Sequence, residues 1–195
     1  MNRINIAGYA IGEPTFSHEV LGEKFYEFYI ASKRMSDVHD VLPCRISELY
    51  LGKIKENAEI AICGEVRTRN VMAGAKSKLE IYIFVTEVAE NKGNHYNEMS
   101  VDGYICRKSD IRKTPMSDRY ILDFLLASNR KVGKSDYIPS ICWGRVAERL
   151  DGCEIGVRLS ALGRLQSREY NKLLDNGEVE TRVAYEFSIN TVKEI

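Results

Sequence analysis

Ala31-Ser32-Lys33-Arg34 followed by Asp40-Val41-Leu42-Pro43 returns about 95 residues later as Ala127-Ser128-Asn129-Arg130 followed by Asp136-Tyr137-Ile138-Pro139. The echo extends both ways. Gly8-Tyr9 answers to Gly103-Tyr104, Cys63-Gly64-Glu65-Val66-Arg67-Thr68-Arg69 to Leu162-Gly163-Arg164-Leu165-Gln166-Ser167-Arg168, and Val85-Thr86-Glu87-Val88-Ala89-Glu90 to Ile189-Asn190-Thr191-Val192-Lys193-Glu194. Order is kept while spacing grows by a few residues, as when insertions fall in loops between paired strands. A period this long suits tandem globular domains and not a solenoid. The expected organisation is one domain over residues 1–91, a linker over 92–97 and a second domain over 98–195.

Within each copy, short runs rich in Ile, Val, Tyr, Phe and Leu are separated by turn signals, the pattern of an antiparallel barrel. Gly22-Glu23 and Asp118 stand at hairpin tips. Asp175-Asn176-Gly177 is a strong turn because Asn-Gly tolerates positive φ, and Ala75-Lys76-Ser77 takes that part in the first copy. One segment per copy reads as helical, Ser47–Ile54 and Gly144–Leu150, each ahead of another strand-like run. Strand, strand, strand, helix, strand, strand is the order of the five-stranded OB barrel. The fold class is all-β with short helices: two tandem OB barrels.

Composition narrows the function. The 28 basic and 28 acidic side chains cancel, which argues against coating duplex DNA by bulk charge but leaves room for a locally basic groove. No apolar run reaches the length of a membrane span, and the N-terminus lacks a signal-peptide core, so a cytosolic protein with no membrane partner is expected. The 5 cysteines have no C-x-x-C pair, so neither a disulfide framework nor a zinc site is expected; Cys44, Cys63 and Cys142 read as small buried hydrophobes. His18, His39 and His95 read as solvated loop residues. Phosphate-binding loops, dinucleotide turns and serine-nucleophile elbows are lacking, so the expected protein is not an enzyme and needs no cofactor.

Binding chemistry concentrates in the second copy. In Tyr137-Ile138-Pro139-Ser140-Ile141-Cys142-Trp143, residues Tyr137, Ile141 and Trp143 share one face, since side chains alternate along a strand. Aromatic rings on such a face stack on unpaired bases of any sequence, each worth about 1–3 kcal/mol. Ile138 and Cys142 are also apolar, so alternation alone does not fix which face is inside. Tyr170 stands beside Arg168 at a hairpin mouth. Arg130 and Lys131 close the second strand, and Arg107, Lys108, Arg112 and Lys113 lie in the first hairpin. Each alone is a surface charge; together with three aromatics they suit a groove that tracks phosphates.

The runs Asn129-Arg130, Asp136 to Glu148 and Gly163 to Tyr170 together resemble the bacterial single-stranded DNA-binding protein family. The resemblance implies that Tyr137, Trp143 and Tyr170 stack on bases and that Arg168 lies in the groove. The first copy carries Val41, Ser47 and Val71 at the three stacking positions but keeps Arg67 and Arg69, with Lys33 and Arg34 at the end of its second strand. It is therefore expected to supply charge and assembly contacts more than stacking. Family members usually assemble four OB domains, so two per chain imply a homodimer. The sequence ends on Thr191-Val192-Lys193-Glu194-Ile195, so recruitment of partners by the acidic tail common in that family is not expected. The leading expectation is sequence-independent binding of single-stranded DNA, with RNA compatible, in replication, recombination or repair. The alternative is an OB-fold protein-interaction module of a primosome with weak nucleic-acid binding. A nuclease is disfavoured by the missing metal-ligand cluster.

Overall fold

The computed structural model describes all residues except Ala75, Met116, Val132, Asp175, Asn176 and Ile195, and leaves the side chains of Ala73, Lys76 and Glu194 undescribed. The Asn-Gly turn at 175–177 and its counterpart at 75–77 therefore lie in part outside the described residues. The first barrel is built from β1 (Asn2–Val20), β2 (Glu23–Lys33), β3 (His39–Ser47), β4 (Glu59–Ala73) and β5 (Lys76–Glu90). The second is built from β6 (Tyr96–Lys108), the short β7 (Arg112–Lys113), β8 (Tyr120–Asn129), β9 (Ser135–Trp143), β10 (Arg158–Leu173) and β11 (Val179–Glu194). β6 starts at Tyr96, inside the 92–97 stretch read as a linker.

Both halves close in the same way, as OB barrels. β1 pairs with β2 and β4, β2 with β3, β4 with β5, and a short parallel contact of β3 with β5 completes the ring. In the second half, β6 takes the place of β1, and β9 meets β11 in parallel. The helical segments lie between the third and fourth main strands. In the second barrel this is α1 (Arg145–Asp151); in the first it is a 3-10 helix over Glu48–Lys53 whose first turn is capped by the Ser47 hydroxyl accepting from Leu49 N. Ser47, at the position matching Trp143, thus serves as a helix cap, a task its short oxygen suits.

The repeated glycine ahead of the last hairpin has a steric cause. A methyl in place of a Gly163 hydrogen would lie 2.0 Å from the Ser188 carbonyl oxygen, and at Gly64 2.4 Å from that of Phe84. Both sit at bulges in the long hairpins, where backbones approach too closely for a Cβ.

The barrels are joined by antiparallel pairing of β1 with β6, in which Ile4 faces Met99, its own counterpart in the repeat. A pseudo-two-fold axis therefore passes between them, and each barrel reaches the other through the same clasp. At one end Ser167 N donates to Asp40 Oδ1 (2.9 Å), Val41 N to Ser167 Oγ (3.0 Å), and Arg34 Nη2 to Ser167 O (2.9 Å). At the other, Thr68 N donates to Asp136 Oδ1 (2.7 Å), Tyr137 N to Thr68 Oγ1 (2.8 Å), and Arg130 Nη2 to Thr68 O (3.2 Å). Both aspartates are buried and gripped by their own barrel's arginine, Arg34 or Arg130, through two nitrogens. Hydrogen bonds and a paired guanidinium offset the cost of burying such a carboxylate.

The core is one continuous apolar cluster running through both barrels, from Ile4, Ile6 and Phe28 to Leu126, Leu165 and Phe187. Cys44 and Cys142 are buried in it, but Cys63 is only half-buried and faces outward, with its thiol against Asn5 Oδ1 (2.7 Å). His18 belongs to β1, where its ring stacks on Phe25 at 5.1 Å, so the loop reading fails for it.

Candidate nucleic-acid interface

The alternation left open along β9 resolves with Ile138, Ser140 and Cys142 pointing into the core and Tyr137, Pro139, Ile141 and Trp143 on the other face, where Ile141 is nevertheless buried. Neighbouring strands extend this face in rows. Tyr104 on β6, Ala127 on β8 and Tyr137 on β9 stand directly opposite one another, as do Arg107, Leu125 and Pro139, and Arg112, Ile121 and Trp143. Directly opposed residues share a side of the sheet. Tyr137 (46% exposed) and Tyr104 (41% exposed) flank the small, half-buried Ala127, so two exposed rings stand in one row. Trp143 lies six residues from Tyr137, about 20 Å along the strand.

At the far end of the face, Trp143 lines a hollow of about 330 Å³ with Arg119, Arg145, Val146, Ile189 and Asn190. The Arg119 guanidinium carbon is 5.9 Å from the indole centroid. Gly144, at φ 56°, adopts the left-handed backbone that turns the chain from β9 into α1 beside Arg119. Arg107, Arg119, Arg145 and Lys131 have no carboxylate partner among the described residues, and all four are exposed. A guanidinium without a carboxylate partner beside a half-exposed ring suits a phosphate next to a stacked base.

Other basic residues are occupied. Lys108 stands opposite the buried Phe124, and its amine donates to the carbonyls of Leu150, Asp151 and Cys153, capping the end of α1 away from the face. Lys113 pairs with Asp118 (3.0 Å) and lies over Tyr120, while Arg112 pairs with Asp123 (2.6 Å). Arg130 holds Asp136, and Arg67 holds Glu65 and Asp136. Lys33 pairs with Asp37, and Arg34 with Asp40. Hydrogen bonding to Asp40 and Asp136 raises Arg34 and Arg130 above their ordinary values, against the opposing pull of burial.

Tyr170 is not beside Tyr137. Tyr137 sits at the Asp136 clasp, next to Thr68 of the first barrel, whereas Tyr170 follows Ser167, the partner of Asp40 at the other clasp. The hairpin arm of β10 and β11 carries Tyr170 along the first barrel, with the Arg168 guanidinium carbon 5.9 Å from its ring and Arg168 paired to Glu186 (2.8 Å). Burial first, and the neighbouring Tyr29 second, push Tyr185 of the same arm up to about 12. Two composite faces result, each one barrel's sheet edged by the other barrel's arm.

On the first barrel the matching rows are Tyr9, Ala31 and Val41, then Ile11, Tyr29 and Pro43, then Thr15, Glu27 and Arg45. Tyr29 and Tyr9 are exposed, so this barrel presents rings at positions other than the three aligned with Tyr137, Trp143 and Tyr170. Beyond them the face closes on itself. Arg45, only 3% exposed, lies over Tyr82 at 4.0 Å and pairs with Glu27 (2.7 Å) and Glu80 (3.0 Å), and Glu80 also holds Arg69. Burial raises Glu27, but hydrogen bonds from Ser17 and Arg45 outweigh it and leave the carboxyl below its ordinary range.

The pattern of the single-strand binding protein family matches residues 96–193, the whole second barrel. This chain belongs to that family. Family proteins bind single-stranded DNA and are not enzymes. The structure is similar to that of the wild-type single-stranded DNA binding protein of Thermus aquaticus, with a TM-score of 0.74 at 16% identity, covering 100% of this chain and 93% of that one. A deletion mutant of the same Thermus protein gives 0.74 and 16%, covering 100% and 94%. The N-terminal domain of PriB from Thermoanaerobacter tencongensis is similar at 28% identity with a TM-score of 0.40, covering 45% of this chain and 93% of that one. No curated protein matches the chain. Among the described residues there is no cluster of His, Cys, Asp and Glu able to hold a metal, and no helix long and apolar enough to cross a membrane.

Proposed function

We propose that this chain binds single-stranded DNA without base preference on the outer face of its second barrel, with Tyr104, Tyr137 and Trp143 stacking on bases and Arg107, Arg119 and Arg145 meeting phosphates. The single observation that carries this reading is the row of Tyr104, Ala127 and Tyr137, two exposed rings on either side of a small residue. Stacking needs only a π surface, so such a face accepts any base, in DNA or RNA. Tyr170 and Arg168 act from the opposite composite face together with Tyr29 and Tyr9. Arg130, Arg67 and Arg34 serve the strand indirectly, by holding the barrels together.

On this reading the chain covers exposed single strands in the cytoplasm during replication, recombination or repair, and two copies associate to present four barrels. Two residue-level variants test it. Tyr137→Ala should weaken oligo-dT binding by about 1–3 kcal/mol without altering the melting temperature. Unchanged affinity would favour a protein-docking module in place of a DNA-binding one, and unfolding would assign the ring to the core. Sedimentation equilibrium tests the dimer, and a purely monomeric chain at micromolar concentration would exclude it.

A further inference from the structure

The two ends of the seam between the barrels follow one plan but differ in charge. At the Asp136 end, two guanidiniums, Arg67 and Arg130, meet two carboxylates, Asp136 and Glu65. In the repeat, Arg164 matches Glu65 and Gln166 matches Arg67. At the Asp40 end, two guanidiniums, Arg34 and Arg164, therefore meet a single carboxylate. Arg164 Nε lies 3.9 Å from Asp40 Oδ2, beyond hydrogen-bond reach, and is buried with no acceptor.

A cavity of about 410 Å³ opens at this end, and Lys33, Arg34, Asp40, His95 and Arg164 line it. Three cations, Lys33, Arg34 and Arg164, thus meet two carboxylates, Asp40 and the Asp37 that pairs with Lys33, which leaves one positive charge in excess. The Lys33 backbone N–H donates to His95 Nδ1 (3.1 Å), so the other ring nitrogen of His95 carries the proton and is itself a donor. A concave site walled by protein concentrates the field of such a cluster, and Arg164, which no carboxylate holds within hydrogen-bond reach, leaves a guanidinium to meet a phosphate oxygen. β10 carries Arg164 at the cavity, meets Asp40 and Val41 of the first barrel through Ser167, and runs on to Arg168 and Tyr170, so the cavity lies where the two barrels meet.

We propose that this cavity holds a backbone phosphate of a bound single strand as the strand crosses from one barrel to the other, and that the crossing occurs at the Asp40 end and not at the Asp136 end. The inference rests on the single-strand reading above. Its test compares the parent with Arg164→Gln, Lys33→Gln and Glu65→Gln, titrated with an oligo-dT short enough for one barrel (about 8 nucleotides) and one long enough for both (about 30). For the long oligomer, Arg164→Gln and Lys33→Gln should each flatten the dependence of log affinity on log salt by about 0.7, the share of one phosphate contact on a single strand. Binding of the short oligomer, read from Trp143 quenching, and the behaviour of Glu65→Gln should follow the parent. Lys33 is exposed, so its variant carries the test if Arg164→Gln unfolds. Parent-like salt slopes in both seam variants would overturn the proposal, as would equal losses at both lengths. Inorganic phosphate that binds the parent without competing with the long oligomer would make the cavity a small-anion site and overturn it too. A parent that binds neither oligomer would instead overturn the single-strand reading itself.

Discussion

Removing the Asp136 carboxylate tests the clasp that makes one unit of two barrels. Asp136 accepts from Arg130 Nε (2.8 Å) and Nη2 (2.5 Å), Thr68 N (2.7 Å) and Arg67 Nη1 (3.3 Å), and is almost fully buried. In Asp136→Ala, Arg67 keeps Glu65, but Thr68 loses the acceptor for a buried N–H, a cost of about 1–3 kcal/mol. Arg130 loses its counter-ion; breaking a buried pair costs about 3–5 kcal/mol, and partial exposure of Arg130 puts this case at the low end. The two estimates overlap, because both include desolvated donors, so about 4 kcal/mol is expected for the whole substitution. For a chain of this length that is a fall in melting temperature of roughly 8–16 °C. Asp136→Asn keeps an oxygen for the Thr68 N–H and should recover about 1–2 kcal/mol of the loss. Urea unfolding followed both by Trp143 fluorescence, which reports the second barrel, and by far-ultraviolet circular dichroism, which reports both, reads the outcome. The parent transitions should coincide and those of Asp136→Ala should separate. A loss below about 1 kcal/mol, the worth of an exposed ion pair, would refute the clasp as a buried inter-barrel joint.

Three further outcomes follow from the geometry. Glu27 titrates below its ordinary range, so its contribution to stability is complete above about pH 4.3 and fades as pH falls through the lowered folded value; Glu27→Gln should therefore show a smaller drop in melting temperature than the parent between about pH 6 and pH 3. An equal drop would refute the network around Arg45. Burial raises the Cys44 thiol and pushes Cys142 up to about 12, so iodoacetamide at neutral pH should spare these two in the native protein and reach them only on unfolding, as peptide mass mapping would show. Gly163→Ala, which drives a methyl against the Ser188 carbonyl, should cost about 2 kcal/mol or more and lower the melting temperature by roughly 4–8 °C; an unchanged melt would refute the close approach.

The scaffold was legible because its signals are local. Period-two alternation, turn residues and a repeat that preserves order together specify strand sequence and barrel type, and the spacing from Tyr137 to Trp143 placed both rings on one face. The site was less legible because it depends on register and on partners far apart in the chain. Tyr104 joins Tyr137 only through the pairing of β6, β8 and β9, which a bulge between Ile105 and Arg107 adjusts. Asp40 and Asp136 look like turn residues before a proline-containing strand, yet their backbone partners lie 127 and 68 residues away. Arg130, Lys108 and Arg119 are all basic residues near turns; only the fold reveals that one holds an aspartate, one caps a helix and one lies over an indole. Tyr9 and Tyr29 are not marked by the repeat, because aligning the copies on Tyr137, Trp143 and Tyr170 singles out three positions and not the neighbouring row.

The central claim is that the face carrying Trp143 receives unpaired bases, and the chain's single tryptophan allows a direct measurement. Titration with oligo-dT at low salt should quench Trp143 fluorescence to saturation, and added salt should reverse the quenching as counterions compete for the phosphates. Unchanged fluorescence, together with no shift of the labelled oligomer in a gel, would contradict the account.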